Sequence, residues 1–131
     1  MFYKAQQAVQ VFHQTFGLPV SPKVSGLDKK RVELRAKWML EEVQEFLNAT
    51  DLVSQADAIA DLIYFAIGVF VEMGLDGSKI FEFVHQANMK KIGDTGQARF
   101  DDDGRVMKPN NWVSPREQIR NWLRNAINNY H

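Results

Sequence analysis

The chain of 131 residues has no cysteine. That excludes disulfide bridges, thiolate nucleophiles and cysteine-ligated zinc or iron–sulfur centres. It has no net charge either: sixteen basic residues balance sixteen acidic ones, so no overall field draws it to nucleic acid or to a membrane surface. The longest apolar stretch, Leu62 to Met73, carries Glu72 and is well short of the ~20 residues a membrane span needs. The opening MFYKAQQAVQVFHQ is broken by Lys, Gln and His and lacks a signal peptide's apolar core. With no disulfides to require an oxidising compartment, a cytoplasmic location is expected. There is no Gly-rich lysine loop to cradle a triphosphate and no Ser/His/Asp arrangement for covalent catalysis. What is present, 45% hydrophobic and 24% charged residues, describes a folded chain of single-domain size.

Helical periodicity dominates. Ala5, Val9, Phe12 and Phe16 recur at helical spacing, and Gly17 with Leu18-Pro19 ends that segment. Residues 18–28, with two prolines and a glycine, read as an ordered linker. Asp28 then caps a long helix to about Ala49, whose apolar face holds Leu34, Leu40, Val43 and Leu47. The short Thr50-Asp51 connection favours an antiparallel neighbour running from about Leu52 to Met73, stopped by Gly74. Asp76 caps a fourth helix over about 77–91, and Gly93 stops it. Beyond lie a small β-hairpin around Asp103-Gly104 and, after a Ser114-Pro115-Arg116-Glu117 capping box, a final helix carrying Ile119, Trp122, Leu123, Ala126 and Ile127. The expected fold is all-α: an antiparallel bundle of four main helices plus the hairpin and C-terminal helix. It forms one domain over 1–131, with its core at about 1–93 and an extension at 94–131.

Two acidic clusters stand out. Glu41-Glu42-Val43-Gln44-Glu45 lies on the second helix and Asp57-Ala58-Ile59-Ala60-Asp61 on the third. Helical spacing sets Glu42 beside Glu45, Glu41 beside Glu45, and Asp57 beside Asp61. Like charges so placed weaken their own helices, whereas a hard divalent cation turns the repulsion into coordination. The clusters read as two halves of one metal site. A charged run such as EEVQE is more often only a solvated helix face, but Asp57 and Asp61 sit in a strongly apolar helix, where an ionised group needs a partner.

The runs LEEVQEF (40–46), ADLIY (60–64) and VHQANMKK (84–91), in that order, resemble the all-α nucleoside triphosphate pyrophosphohydrolases, the MazG-like and phosphoribosyl-ATP pyrophosphohydrolase-like group. The similarity spans roughly Phe2 to Lys108. It implies that Glu42 and Glu45 of E-E-x-x-E and Asp61 of E-x-x-D bind metal, Mg²⁺ with Mn²⁺ as substitute, and that Glu41 holds a second ion or accepts a proton from water. Asn88 and Lys91 match the Asn-x-x-Lys element implied to touch phosphates or ribose. The departure is Ala58, where the group usually has glutamate; Asp57, one residue earlier, is the candidate replacement ligand.

Arg31, Arg35 and Lys37 precede the glutamates and are candidates for phosphate contacts, with salt bridges as the alternative. His85 has a pocket-lining role or a structural one, while His13 and His131 belong to no constellation. Trp38, Phe65, Phe70 and Phe81 suit a core better than base stacking, and Trp112 is a candidate contact with a partner subunit.

The resulting expectation is Mg²⁺-dependent hydrolysis of a nucleoside triphosphate, for instance a pyrimidine deoxynucleotide such as dUTP, to monophosphate and pyrophosphate. Attack at the α-phosphate is implied by the resemblance alone. The alternatives are a phosphoribosyl-ATP pyrophosphohydrolase and a non-catalytic helical module with a degraded site. A homodimer or homotetramer is expected, with Phe65, Val69 or Phe70 among its buried contacts; neither nucleic acid nor membrane is expected as a partner.

Overall fold

A computed structural model describes residues 1–128; His131 lies outside the described residues. The chain is all-α and divides into two units, the first Met1–Gly77 and the second beginning at Ser78.

The first unit is a bundle of three helices, α1 (Phe2–Phe16), α2 (Lys29–Asn48) and α3 (Leu52–Met73). Each boundary has a local cause. Asp28 accepts the Arg31 backbone N–H at 2.8 Å and Asp51 accepts that of Ser54 at 2.8 Å, satisfying donors a helix start leaves free. Gly17 and Gly74 close α1 and α3 in the left-handed conformation. At Gly74 the 18–28 linker also passes so close that a Cβ would lie 2.5 Å from the Lys23 carbonyl oxygen.

Helix α3 packs against both α1 and α2. Its pairings with α2 run in opposite directions along the chain, Trp38 against Phe65 and Arg31 against Glu72, so the two are antiparallel. Pairings of α1 with α3, Phe2 with Phe70 and Phe12 with Tyr64, also run in opposite directions, so α1 too is antiparallel to α3. The apolar centre is small: Val9, Ile67 and Val71, surrounded by Phe2, Ala5 and Val20.

Beside that centre lies a buried polar network. Glu72 accepts from Arg35 Nε at 2.8 Å and from Arg31 Nε and Nη2 at 2.5 and 3.1 Å. Arg35 Nη2 lies 3.3 Å from His13 Nε2, and His13 Nδ1 lies 2.8 Å from the Pro19 carbonyl oxygen. Because a carbonyl only accepts, Nδ1 carries the proton and Nε2 is left to accept from Arg35. Gly68 makes room: a Cβ there would lie 2.8 Å from Arg35 Nη1. Burial pushes the Glu72 carboxyl up, but the hydrogen bonds and charges of Arg31 and Arg35 outweigh it and hold the group below its usual range.

The second unit carries α4 (Gly77–Met89) from its second residue on, a 3₁₀ turn at Lys90–Ile92 and α5 (Arg116–Asn128). The expected β-hairpin does not form strands. The 99–107 segment is closed by a single antiparallel bridge between Phe100 and Val106. Asp101 Oδ1 accepts the backbone N–H groups of Asp103 and Arg105. An exposed two-stranded ribbon with no third strand to extend it is marginal, and here it is reduced to a turn whose arms are joined by the Asp101 N–H to Arg105 carbonyl and Met107 N–H to Arg99 carbonyl bonds. Trp112 packs within this unit, its indole N–H donating to the Ala87 carbonyl at 2.7 Å. No single helix among the described residues is long and apolar enough to cross a membrane.

Removing one partner of a buried ion pair strands the other charge. Arg35→Met should therefore destabilise the fold by about 3–5 kcal/mol in urea unfolding, and Arg31→Met by clearly less, since Arg31 is partly exposed. The Glu72 contribution is present above the ordinary carboxylate range and is lost as pH falls through the depressed value. In Glu72→Gln the acid limb of the stability profile should flatten.

Candidate metal centre

The antiparallel pairing of α2 and α3 brings Glu42 and Glu45 opposite Asp61. One carboxylate oxygen from each of the three lies within 4.8 Å of the others. Glu42 and Asp61 are half-buried and Glu45 is exposed, so the cluster opens to water on one side. The second oxygen of Glu42 is buried and has no hydrogen-bond partner. An orphaned carboxylate oxygen is costly to bury.

Electrostatics record the crowding. The Glu42 carboxyl is pushed above its usual range first by burial, then by a hydrogen bond shared with Glu45, then by the charges of Glu45, Asp61 and Asp57. A hydrogen bond between two carboxyl groups exists only when one holds a proton. Without a cation, the cluster therefore competes for protons to relieve its own repulsion. The donor set is all oxygen, three carboxylates with one oxygen unsatisfied, and suits a hard divalent cation. Softer metals that prefer sulfur or imidazole find neither here.

The other carboxylates are placed differently. Asp57 is exposed and outside the converging trio, although its charge reaches Glu42. Ala58 is buried, so the position the resemblance gives to a glutamate faces into the helix packing. Glu41 is exposed and lines a shallow depression on α2 together with Lys37, Glu33 and Leu40. Arg35, the candidate phosphate contact, is buried against Glu72 and His13. In the second unit, Asn88 and His85 are exposed. Lys91 Nζ lies 5.3 Å from the centroid of the Trp112 ring, and Lys108 Nζ lies 4.9 Å from it. Sequence reading missed the Lys108–Trp112 pairing, because the partners belong to a loop with no periodicity.

The raised Glu42 value has a definite sign. A folded-state carboxyl above its unfolded value, ~4.3, adds stability only while protonated. That stability is lost as pH rises from the unfolded value through the raised one. A cation offsets the loss, so the gain in Tm on adding excess Mg²⁺ over EDTA should be near zero in acid and grow as pH rises through that window. Glu42→Gln should shrink the gain at neutral pH while leaving helical circular dichroism intact.

Comparison with known families agrees with the geometry. The sequence matches the family model described as phosphoribosyl-ATP pyrophosphohydrolase over residues 9–88, which includes all of α2 and α3 with the three converging carboxylates. A comparison with curated proteins gives no match. The matched region covers well over half of the chain, and on that basis the chain belongs to the phosphoribosyl-ATP pyrophosphohydrolase family, MazG-like all-α hydrolases that cleave acid anhydrides in nucleotides.

Proposed function

We propose that this protein is a Mg²⁺-dependent nucleoside triphosphate pyrophosphohydrolase, with a pyrimidine deoxynucleotide such as dUTP as the favoured substrate. The observation that carries this reading is the convergence of Glu42, Glu45 and Asp61, with one oxygen of Glu42 buried and without a partner. Those three residues would hold the cation, which supplies charge neutralisation to the phosphates and acidifies water. Glu41, exposed beside them, is the candidate to accept the proton of the attacking water. Water oxygen would bond to the α-phosphorus as the bond from that phosphorus to the α,β-bridging oxygen breaks, and pyrophosphate leaves with the electron pair. Lys37 on α2 is the candidate contact to phosphate oxygens. Asp57 acts through its charge on Glu42 rather than as a ligand.

A phosphoribosyl-ATP substrate is the second reading, favoured by the description of the matching family. Its hydrolysis uses the same carboxylates and the same bond, so product analysis with both substrates separates the two.

The first unit leaves apolar side chains uncovered: Leu40, Leu47, Leu52, Val53 and Ile63 of α2 and α3 are each more than half exposed. Exposure on that scale marks an association surface, and a second copy of the chain is the proposed cover, in a closed symmetric assembly. Phe65 and Phe70, by contrast, pack on Trp38 and Phe2 within the unit. Light scattering should give at least twice the 15.1 kDa chain mass, and Leu40→Glu should lower it.

With Mg²⁺, dUTP should yield dUMP and pyrophosphate with no dUDP at any time by ion-exchange chromatography. Asp61→Asn should abolish turnover, and Asp57→Asn should reduce it less. Orthophosphate as sole product, or full activity in EDTA, would overturn the assignment.

A further inference from the structure

A cavity of about 270 Å³ opens where α1, α2 and α3 meet, and no carboxylate lines it. Its walls include the rings of Phe12, Trp38, Tyr64 and Phe65, with His13 and Arg35 as the polar groups. Three features bear on what it can hold.

The first is place. Trp38 is four residues before Glu42 on α2, and Tyr64 and Phe65 are three and four residues after Asp61 on α3. At 1.5 Å per residue the cavity lies about 6 Å along both helices from the carboxylate trio. A ligand whose phosphates sit on the trio reaches this cavity with its other end.

The second is chemistry. Phe12 and Tyr64 meet edge to face with centroids 5.4 Å apart, and Trp38 and Phe65 lie 6.1 Å apart. Aromatic walls of this kind receive a flat π-system. The Arg35 guanidinium is already engaged by the Glu72 carboxylate, and most of the remaining lining is aromatic or aliphatic. The site therefore suits an uncharged group rather than a phosphate. Arg35 uses Nε on Glu72 and Nη2 on His13, and Nη1 has no acceptor among the described residues. The ion pair holds the guanidinium fork rigid, so Nη1 is a fixed donor for a carbonyl.

The third is size. Pockets that bury a drug-sized ligand run roughly 300–1,000 Å³, and this one falls just below. A cavity of about 150 Å³ already holds a benzene ring, so this one has room for a nucleobase, with sugar and phosphates outside.

We propose that this cavity seats the base of the nucleotide, a flat heterocycle with an edge carbonyl, against Phe12, Trp38 and Tyr64, with Arg35 Nη1 donating to that carbonyl. The proposal rests on the reading that the trio takes the phosphates, and it gives that reading a specificity element. It also moves Trp38 and Phe65 from core packing alone to a wall of the site.

The test uses the full chain in EDTA with the deoxynucleoside monophosphates dUMP, dTMP, dCMP, dAMP and dGMP as probes, so that base binding is read without metal. Addition of dUMP should shift the ring resonances of Phe12, Trp38 and Tyr64 in NMR spectra. Phe12→Leu, which keeps apolar volume but removes the ring, should weaken dUMP binding about tenfold, the loss of one base–aromatic stack. With Mg²⁺ and dUTP it should raise KM by a similar factor and leave kcat and the Mg²⁺-induced Tm gain near wild type. Phe12→Trp, which fills the cavity, provides the same comparison if the leucine variant does not fold. Unchanged dUMP binding in the folded variant, with pyrophosphate release intact, would overturn the base pocket and leave the hydrolase reading standing. Tighter binding of dAMP, whose base has no carbonyl, than of dUMP at the same rings would overturn the carbonyl contact. No pyrophosphate from any nucleoside triphosphate would instead overturn the reading beneath it.

Discussion

The ion pair of Arg35 with Glu72 is the constraint on which the arrangement of the first unit depends. A buried carboxylate and guanidinium give up hydration that their mutual attraction barely restores, so the pair is a poor source of stability in itself. What it fixes is register. With Arg35 held on Glu72, Trp38 meets Phe65 and, one turn further, Glu42 meets Asp61. Slippage of α2 along α3 by one turn would take Arg35 off Glu72, leave its buried guanidinium without that carboxylate and separate the carboxylates of the trio. Gly68 belongs to the same device, because any side chain there would collide with the guanidinium. The Arg31 contacts to Glu72 and the His13 contact to Arg35 use more of the hydrogen-bonding capacity that burial would otherwise leave unmet.

At the other end of the same seam the structure does the opposite. It gathers three like charges and leaves one oxygen of Glu42 buried and unbonded. Local consistency governs the ion-pair end and local conflict the carboxylate end, and conflict of this sort is found where function requires it. Between the two lies the aromatic cavity. The α2–α3 seam thus grades from paired charge, through apolar rings, to unpaired negative charge. A nucleotide is graded in a related way, from an uncharged base to a polyanionic tail.

Much of this was legible in the sequence, because its signals are local. Asp28, Gly17 and Gly74 mark helix ends through backbone chemistry confined to a few residues, and the structure uses all three. The spacing of Glu42, Glu45 and Asp61 needs only helical periodicity and one short connection. The His13–Arg35–Glu72 network was not legible, since its members lie 22 and 37 residues apart and no periodicity links them. Two signals pointed toward it: a glutamate at position 72 within an otherwise apolar helix, and a glycine at 68 in the helix interior. The hairpin was read from turn residues that are present and do form a turn. Strand formation failed for want of a packing partner, which turn chemistry does not encode. Asp57 was assigned by its stripe on α3, yet position 58 is the buried one, and that rotation is set by packing against neighbouring helices.

Electron paramagnetic resonance of Mn²⁺ titrated into the protein at neutral pH, without nucleotide, tests the central claim most directly, because it reads cation capture by the trio apart from catalysis. The account predicts saturable binding by the wild-type protein that is lost in Asp61→Asn and retained in Asp57→Asn. Binding that survives Asp61→Asn, or no binding by a folded wild-type chain, would contradict it.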